Sequence, residues 1–222
     1  MSAPAGARRV LVATTNPGKV RELAAILAGL PVELVGLAEA AGAPELDPVP
    51  EVEETGETFM DNALLKARGY AAWSGLPALA DDSGLEVDAL GGDPGVRSAR
   101  YAGAGAGDEA GDEANLAKLL EAMKGVPDAE RTARFRCAAV LALPDGTSWE
   151  AEAAWEGRLL DSPRGDGGFG YDPVFVPDGW ERTSAEVDAA TKNAASHRAK
   201  AFAALRPAVE AWAAGAANAG GA

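Results

Sequence analysis

The chain is expected to fold as an α/β protein, and three observations carry that expectation. Short apolar runs that enter clusters of turn residues alternate with segments whose apolar residues recur at three- and four-residue steps. One long stretch, Thr132 to Trp155, switches to a period of two. No internal repeat or linker divides the 222 residues, so a single domain is expected over 1–222, with Ala213 to Ala222 a frayed tail.

Arg9 to Ala13 is a short apolar run entering the turn residues Thr14 to Gly18, the pattern of a buried strand ending in a loop. From Lys19, residues Val20, Leu23, Ala24, Leu27 and Leu30 keep helical spacing until Gly29 and Pro31 stop it. Val32 to Leu37 predicts a second strand, and Ala38 to Gly56 a Pro- and Glu-rich connection whose acids read, on composition alone, as a solvated loop. Glu57 to Ser74 places Phe59, Ala63, Leu64, Ala67, Tyr70 and Ala71 on one helical face, with Thr55 or Thr58 as cap. Leu76 to Ala80 is a strand that delivers Asp81-Asp82-Ser83-Gly84 to a turn. Ala104 to Gly111 alternates small and acidic residues and predicts a mobile loop ahead of a helix carrying Leu116, Leu119, Leu120 and Met123.

In the period-two stretch Ala133, Phe135, Cys137, Ala139 and Leu141 alternate with polar residues, and after Pro144-Asp145-Gly146-Thr147 so do Trp149, Ala151, Ala153 and Trp155. That predicts a long antiparallel hairpin with one apolar face, on which Cys137 is a packed thiol rather than a nucleophile. Ser162 to Asp172 is a Gly-rich loop, Val174 to Val176 a short strand and Ser196 to Trp212 a closing helix.

Composition removes several function classes. One cysteine and one histidine build neither a disulfide framework nor a structural zinc site, which makes a reducing, cytoplasmic setting the expectation. No run reaches the roughly 18 apolar residues of a membrane span, and the start lacks the apolar stretch of a signal peptide. A formal charge of −14 opposes sequence-independent binding to nucleic acid, while leaving room for a small phosphorylated ligand held by local cations and a metal.

Four polar constellations lie where elements end. Thr14, Thr15, Asn16, Pro17, Gly18 and Lys19 stand between strand and helix, where backbone N–H groups, the helix start and a lysine can cradle phosphate. This is not the P-loop, since Ala13 and Val20 replace its first glycine and its Ser/Thr. Asp81 and Asp82 are adjacent, so on a strand they point to opposite faces, and they can share a metal only if the turn has begun. One of them is therefore expected to do something else, and an Asx turn is the bland alternative. With Glu53 and Glu54 upstream, the set matches the sparse oxygen ligation that Mg²⁺ prefers. Phe169, Gly170, Tyr171 and Asp172 put aromatics among glycines, either as a stacking platform for a base or as buried plugs. Thr191 to Arg198 reads as an N-terminal helix segment in which Ser196 can cap and Lys192, His197 and Arg198 offer donors.

Six ordered blocks carry a resemblance: Thr14 to Glu22; Glu53 to Gly56 with Thr58-Phe59 and Asn62-Ala63; Ala80 to Leu85; Gly91-Gly92 with Pro94-Gly95 and Ser98 to Tyr101; Gly168 to Pro173; and Ser196 to Arg198. From about Val10 to Leu205 the chain resembles the inosine triphosphate pyrophosphatase family, the Ham1-like or RdgB-type enzymes. The resemblance implies an elongated mixed sheet flanked by helices, with two lobes around a central cleft, and a homodimer. It also implies a Mg²⁺-dependent hydrolase that cuts ITP, dITP and XTP to the monophosphate and pyrophosphate. Carried over by motif, Thr14 to Lys19 would hold the triphosphate, Asp82 would be metal ligand and general base, and Ser83 would touch substrate. Glu53 is the expected second metal ligand, with Glu54 the alternative. Phe169 to Asp172, Lys192, His197 and Arg198 would line the base and phosphate pocket, His197 or Arg198 donating to the purine O6. Two rivals stand beside this reading: a Maf-type pyrophosphatase acting on pyrimidine or methylated nucleotides, and a non-catalytic nucleotide sensor, against which the Asp82 carboxylate argues.

Overall fold

A computed structural model of the chain describes residues 7–43, 46, 48–103 and 109–215, with Pro17 and Glu109 in backbone only. Six strands form one mixed sheet in the order β2-β1-β3-β4-β5-β6. β1 (Arg8–Val12) is parallel to both β2 (Val32–Gly36) and β3 (Ala78–Val87), whereas β4 (Thr132–Ala142), β5 (Ser148–Leu159) and β6 (Phe175–Pro177) continue antiparallel. The parallel part needs crossovers, and helices α1 (Pro17–Ile26) and α3 (Phe59–Ser74) lie along them, with a short α2 (Leu37–Ala40) inside the connection expected to be irregular.

The faces of the sheet are read off by parity. Ala78 and Ala80 on β3 and Ala138, Val140 and Ala142 on β4 face α3, packing on Ala63, Ala67 and Ala71. Leu79 on β3 and Cys137, Ala139 and Leu141 on β4 face the opposite side, with Leu23 of α1, its C-cap Leu27, and Ala201, Phe202 and Leu205 of α6 (His197–Ala213). A third cluster at the far end joins Leu85, Val87, Phe135, Trp155 and Phe175 to Leu119 of α4 (Glu109–Ala122) and to Met123 just after it. Each fully buried Leu or Phe contributes about 1.5 to 3 kcal/mol through removal from water.

The hairpin forms as expected and extends to Leu159, and Cys137 is buried on its apolar face. Thr58, not Thr55, caps α3, in a reciprocal box with Asp61. Two expectations are corrected. Asp81 to Gly84 is not a turn: β3 runs through it, each residue paired with β4 from Ala139 to Arg136. Gly84 is glycine because a Cβ there would stand 2.3 Å from the Ser98 hydroxyl and 2.6 Å from the Gly95 carbonyl, not because the chain reverses. Thr191 to Arg198 is not one helical start either. A short α5 (Ala189–Ala195) ends at Ser196, whose extended backbone breaks the helix and whose side chain caps α6. The expected loop at Ala104 to Gly111 lies outside the described residues at 104–108, and its last residues already belong to α4. The expected tail begins at Ala213, the last residue of α6, and lies outside the described residues at 216–222.

Candidate active site

Because β3 continues through the acidic pair, Asp81 and Asp82 project to opposite faces of the sheet. Asp81, on the α1/α6 side, is fully buried among cations: its Oδ2 lies 3.1 Å from Lys19 Nζ and 3.2 Å from Arg198 Nε, and it accepts from Ser83 Oγ at 3.0 Å. Arg198, 1% exposed, also donates to Ser83 Oγ at 2.7 Å and to Glu22 of α1. Glu22 in turn accepts from Lys192 Nζ at 2.7 Å, and Lys192 reaches Asp172 at 2.6 Å. Glu22, Asp81 and Asp172 thus face Lys19, Lys192 and Arg198 in one buried, charge-balanced network. Burial alone would raise the Glu22 and Asp81 pKa values, but the cations more than offset it, Arg198 and Lys192 for Glu22 and Lys19 and Arg198 for Asp81, and both fall below the carboxylate range.

Asp82, on the α3 side, meets a different set. Its Oδ1 lies 2.9 Å from Lys66 Nζ, and its Oδ2 accepts from Asn62 at 3.3 Å. Lys66 also binds Glu54 at 2.8 Å, and Arg100 approaches Glu54 at 3.7 Å. Burial raises the Asp82 pKa, Lys66 and Lys19 offset only part of that, and Glu54 adds to it. Lys66 stays charged: burial acts against its proton, and Asp82 and Glu54 more than compensate.

Both faces open beside Asp82 to Gly84, midway along β3, into one cavity of about 650 Å³, lined by Thr14, Asn16, Lys19, Glu53, Glu54, Asp82, Ser83, Phe169, Lys192, His197 and Arg198 among others. That volume suits a nucleotide-sized ligand. Lys192 Nζ stands 4.9 Å and Arg198 6.0 Å from the Phe169 ring centre. His197 stacks on Phe135 with ring centres 4.9 Å apart. Burial, then Arg198 and Lys192, push its pKa well down, so it is neutral, and its buried Nδ1 has no hydrogen-bond partner.

The profile of the Ham1 family matches residues 10–208. The chain belongs to the Ham1 family. It is 53% identical over 203 residues to the dITP/XTP pyrophosphatase of Streptomyces coelicolor, covering 90% of this chain and 96% of that one. It is 52% identical over 198 residues to that of Geobacter sulfurreducens, covering 89% and 94%. Among solved structures, the HAM1 protein of Coxiella burnetii superposes with a TM-score of 0.78 at 39% identity, over 91% of this chain and 98% of that one. The Staphylococcus aureus Ham1 protein gives 0.75 at 35% identity, over 92% and 100%. The fold is therefore that of the Ham1 proteins, as the resemblance implied.

The expected site residues converge, with some redistribution of roles. In the Thr14 to Lys19 segment, Thr14 accepts from the Asn16 N–H at 3.2 Å and Asn16 accepts from the Lys19 N–H at 3.0 Å, so the loop is braced as the N-cap of α1, whose first residue is Pro17. Gly18 does not line the cavity; a Cβ there would stand 2.9 Å from the Phe169 ring, so the glycine lets the aromatic pack on the loop. Tyr171 is a buried plug, its hydroxyl donating to the Ser98 carbonyl at 2.8 Å, while Phe169 is the partly exposed ring. Lys192 is committed to Glu22 and Asp172, and Lys66 is the cation beside Asp82. Glu53 is exposed at the cavity wall, and Glu54 is the acid that joins Asp82 around Lys66. Reading residue by residue missed Glu22, Asn62 and Lys66. The available signal was spacing: Asn62 and Lys66 are four apart on the buried face of α3, and Glu22 follows Lys19 by one turn.

Proposed function

We propose that the protein is a Mg²⁺-dependent pyrophosphatase that hydrolyses the non-canonical purine nucleotides ITP, dITP and XTP to monophosphate and pyrophosphate. The observation that carries this reading is the shared cavity, in which the helix-capping loop and Lys19, the Asp82–Glu54 acid pair and the Phe169 ring surround one nucleotide-sized volume. The family membership and the names of the relatives support it.

The donor set fits a hard divalent ion. Asp82 and Glu54 already converge on one cation, the Lys66 ammonium, at 2.9 and 2.8 Å, and Glu53 lines the same wall. Asp82 with Glu53 or Glu54 would hold Mg²⁺, which supplies charge neutralisation of the triphosphate.

The protein's own groups do the rest. Lys19, at the head of α1, meets the phosphates. Asp82, a carboxylate whose burial strengthens it as a base, orients water and takes its proton as the water oxygen bonds to the α-phosphorus. The bond from that phosphorus to the oxygen bridging to the β-phosphate breaks, and pyrophosphate leaves. Phe169 offers the base a stacking face. Neutral His197, which lines the cavity, supplies a ring N–H as donor for O6, and a 6-amino group there would set donor against donor. Arg198 has most of its N–H groups engaged by Asp81, Glu22 and Ser83, so it acts chiefly by fixing the pocket's shape. A homodimer and a cytoplasmic location belong to the same proposal, the first resting on the resemblance and the second on the single buried thiol.

Pyrophosphate release from ITP, dITP, XTP, GTP, ATP and dTTP, with and without Mg²⁺, tests the reading. Release from ITP, dITP and XTP only with Mg²⁺ is expected; preference for dTTP would favour the Maf-type alternative, and nucleotide binding without turnover a sensor.

A further inference from the structure

Asp112 is a carboxylate of the cavity wall that belongs to neither the acid pair nor the charge-balanced network. Among the described residues it is the one position of α4 in that wall, while Leu119 carries the helix into the third core cluster. A negative charge beside a polyanion site works against binding. What Asp112 does in the structure is accept the Gly170 N–H at 2.9 Å.

That bond falls on a glycine-rich turn. Gly168 and Gly170 both have positive φ, +74° and +61°, and glycine holds such conformations with little intrinsic preference. Two successive amides of the turn end on carboxylates from different elements: Phe169 N–H donates to Asp172 at 2.9 Å, and Gly170 N–H donates to Asp112. Asp172 belongs to the loop itself and is fixed by Lys192 and by Ser184 at 2.7 Å. Asp112 comes from 58 residues upstream and ties the turn to the helical layer. Between these two anchors sits the Phe169 ring.

We propose that Asp112 is a positioning residue for base binding, holding the Phe169 turn so that its ring meets the purine, and that it touches neither the phosphates nor the sugar. The inference rests on the proposed nucleotide pyrophosphatase reading and adds to it the residue that sets the stacking platform.

Steady-state kinetics of the full chain on ITP and dITP, together with inhibition by inorganic tripolyphosphate, which has no base, test it. Loss of one charge-assisted hydrogen bond predicts that D112A raises KM for ITP and dITP alike by about ten-fold. kcat should stay within about three-fold and the tripolyphosphate inhibition constant should not change. D112N, whose amide oxygen still accepts the Gly170 N–H, restores most of the loss, and D112A in an F169A background adds nothing further. Equal weakening of tripolyphosphate, a loss on ITP but not dITP, or an unchanged KM would each overturn the proposal, the second by showing direct contact with the ribose 2′-hydroxyl. If D112A does not fold, D112E, which keeps the charge but displaces it, must show the same base-dependent rise. Failure of the parent reading is separate: wild-type protein would then release no pyrophosphate from ITP, and calorimetric binding of ITP against tripolyphosphate reads the same contrast.

Discussion

Two neighbours on one strand live under opposite electrostatic regimes. Asp81 faces α1 and α6, where three carboxylates and three cations close a buried network, and its pKa is held down. Asp82 faces α3, where it and Glu54 share one lysine, and its pKa is pushed up. The balanced face is fixed by its own charges and serves as a scaffold. On the other, Lys66 bonds both acids and Arg100 approaches Glu54, and it is burial that leaves Asp82 with a raised pKa and room for a proton. Adjacent acids in the sequence are thus a structural group and a reactive one, separated only by the pleat.

The largest effect should come from the Asp82 face. Asp82→Asn removes the general base and a metal oxygen, and turnover on ITP should fall by about 10²- to 10⁴-fold. The melting temperature should stay close to that of the wild type, because the amide replaces a carboxylate whose burial was unfavourable. A variant with wild-type turnover would place the reactive group elsewhere. Glu22→Gln breaks the balanced face instead and should show in stability first. Removing one partner of a buried pair typically costs 3 to 5 kcal/mol, and a value of about 3 kcal/mol is expected because Lys192 keeps Asp172 and Arg198 keeps Asp81. Urea unfolding measures it; a change under about 1 kcal/mol would mean that the network is not held as a unit.

The same variant sharpens the contrast through pH. Glu22 has a folded-state pKa below its ordinary value of 4.5, so its stabilisation is complete above that value and is lost as pH falls below it toward the folded pKa. The gap in stability between wild type and Glu22→Gln should therefore be constant from pH 7 down to about 5 and close on further acidification. A gap that persists undiminished at about pH 3 would assign the effect of the substitution to packing rather than charge.

How much of this was legible follows the range of the interactions. α1, α3 and the hairpin were readable because their apolar residues repeat at 3.6 or 2 along the chain, and Thr58 caps where local chemistry says it should. The acidic strand was misread because Asp-Asp-Ser-Gly is turn-forming locally, and ten residues of pairing with β4 override that preference. The parity rule still foretold that the two acids would part company. Spacing set Lys66 beside Asn62 and Glu22 beside Lys19, but their partners were not visible, since a single charged residue on a helix looks like a solvated one until its partner arrives. Glu22 meets Lys192 across 170 residues and Arg198 across 176. The division of the aromatics into platform and plug likewise depended on Ser98 and Gly18, which no local pattern ties to them.

The smallest expected effect lies at Cys137, which pairs with Ser83 across the sheet and shares the balanced face with Asp81. Burial raises its thiol pKa and the Asp81 charge adds to the rise, so the thiolate that an alkylating reagent needs is scarcely formed in the folded state. Cys137→Ala deletes one buried sulfur and should lower stability by about 1 kcal/mol with kcat/KM unchanged, the scale of a single buried methylene. Iodoacetamide should label the wild-type thiol only as fast as the chain unfolds, and at full rate in urea. Labelling of the native protein at the rate of a free thiol would mean that the centre of the sheet opens without global unfolding, and a face that opens in that way cannot be the fixed partner that the comparison of Asp81 with Asp82 requires.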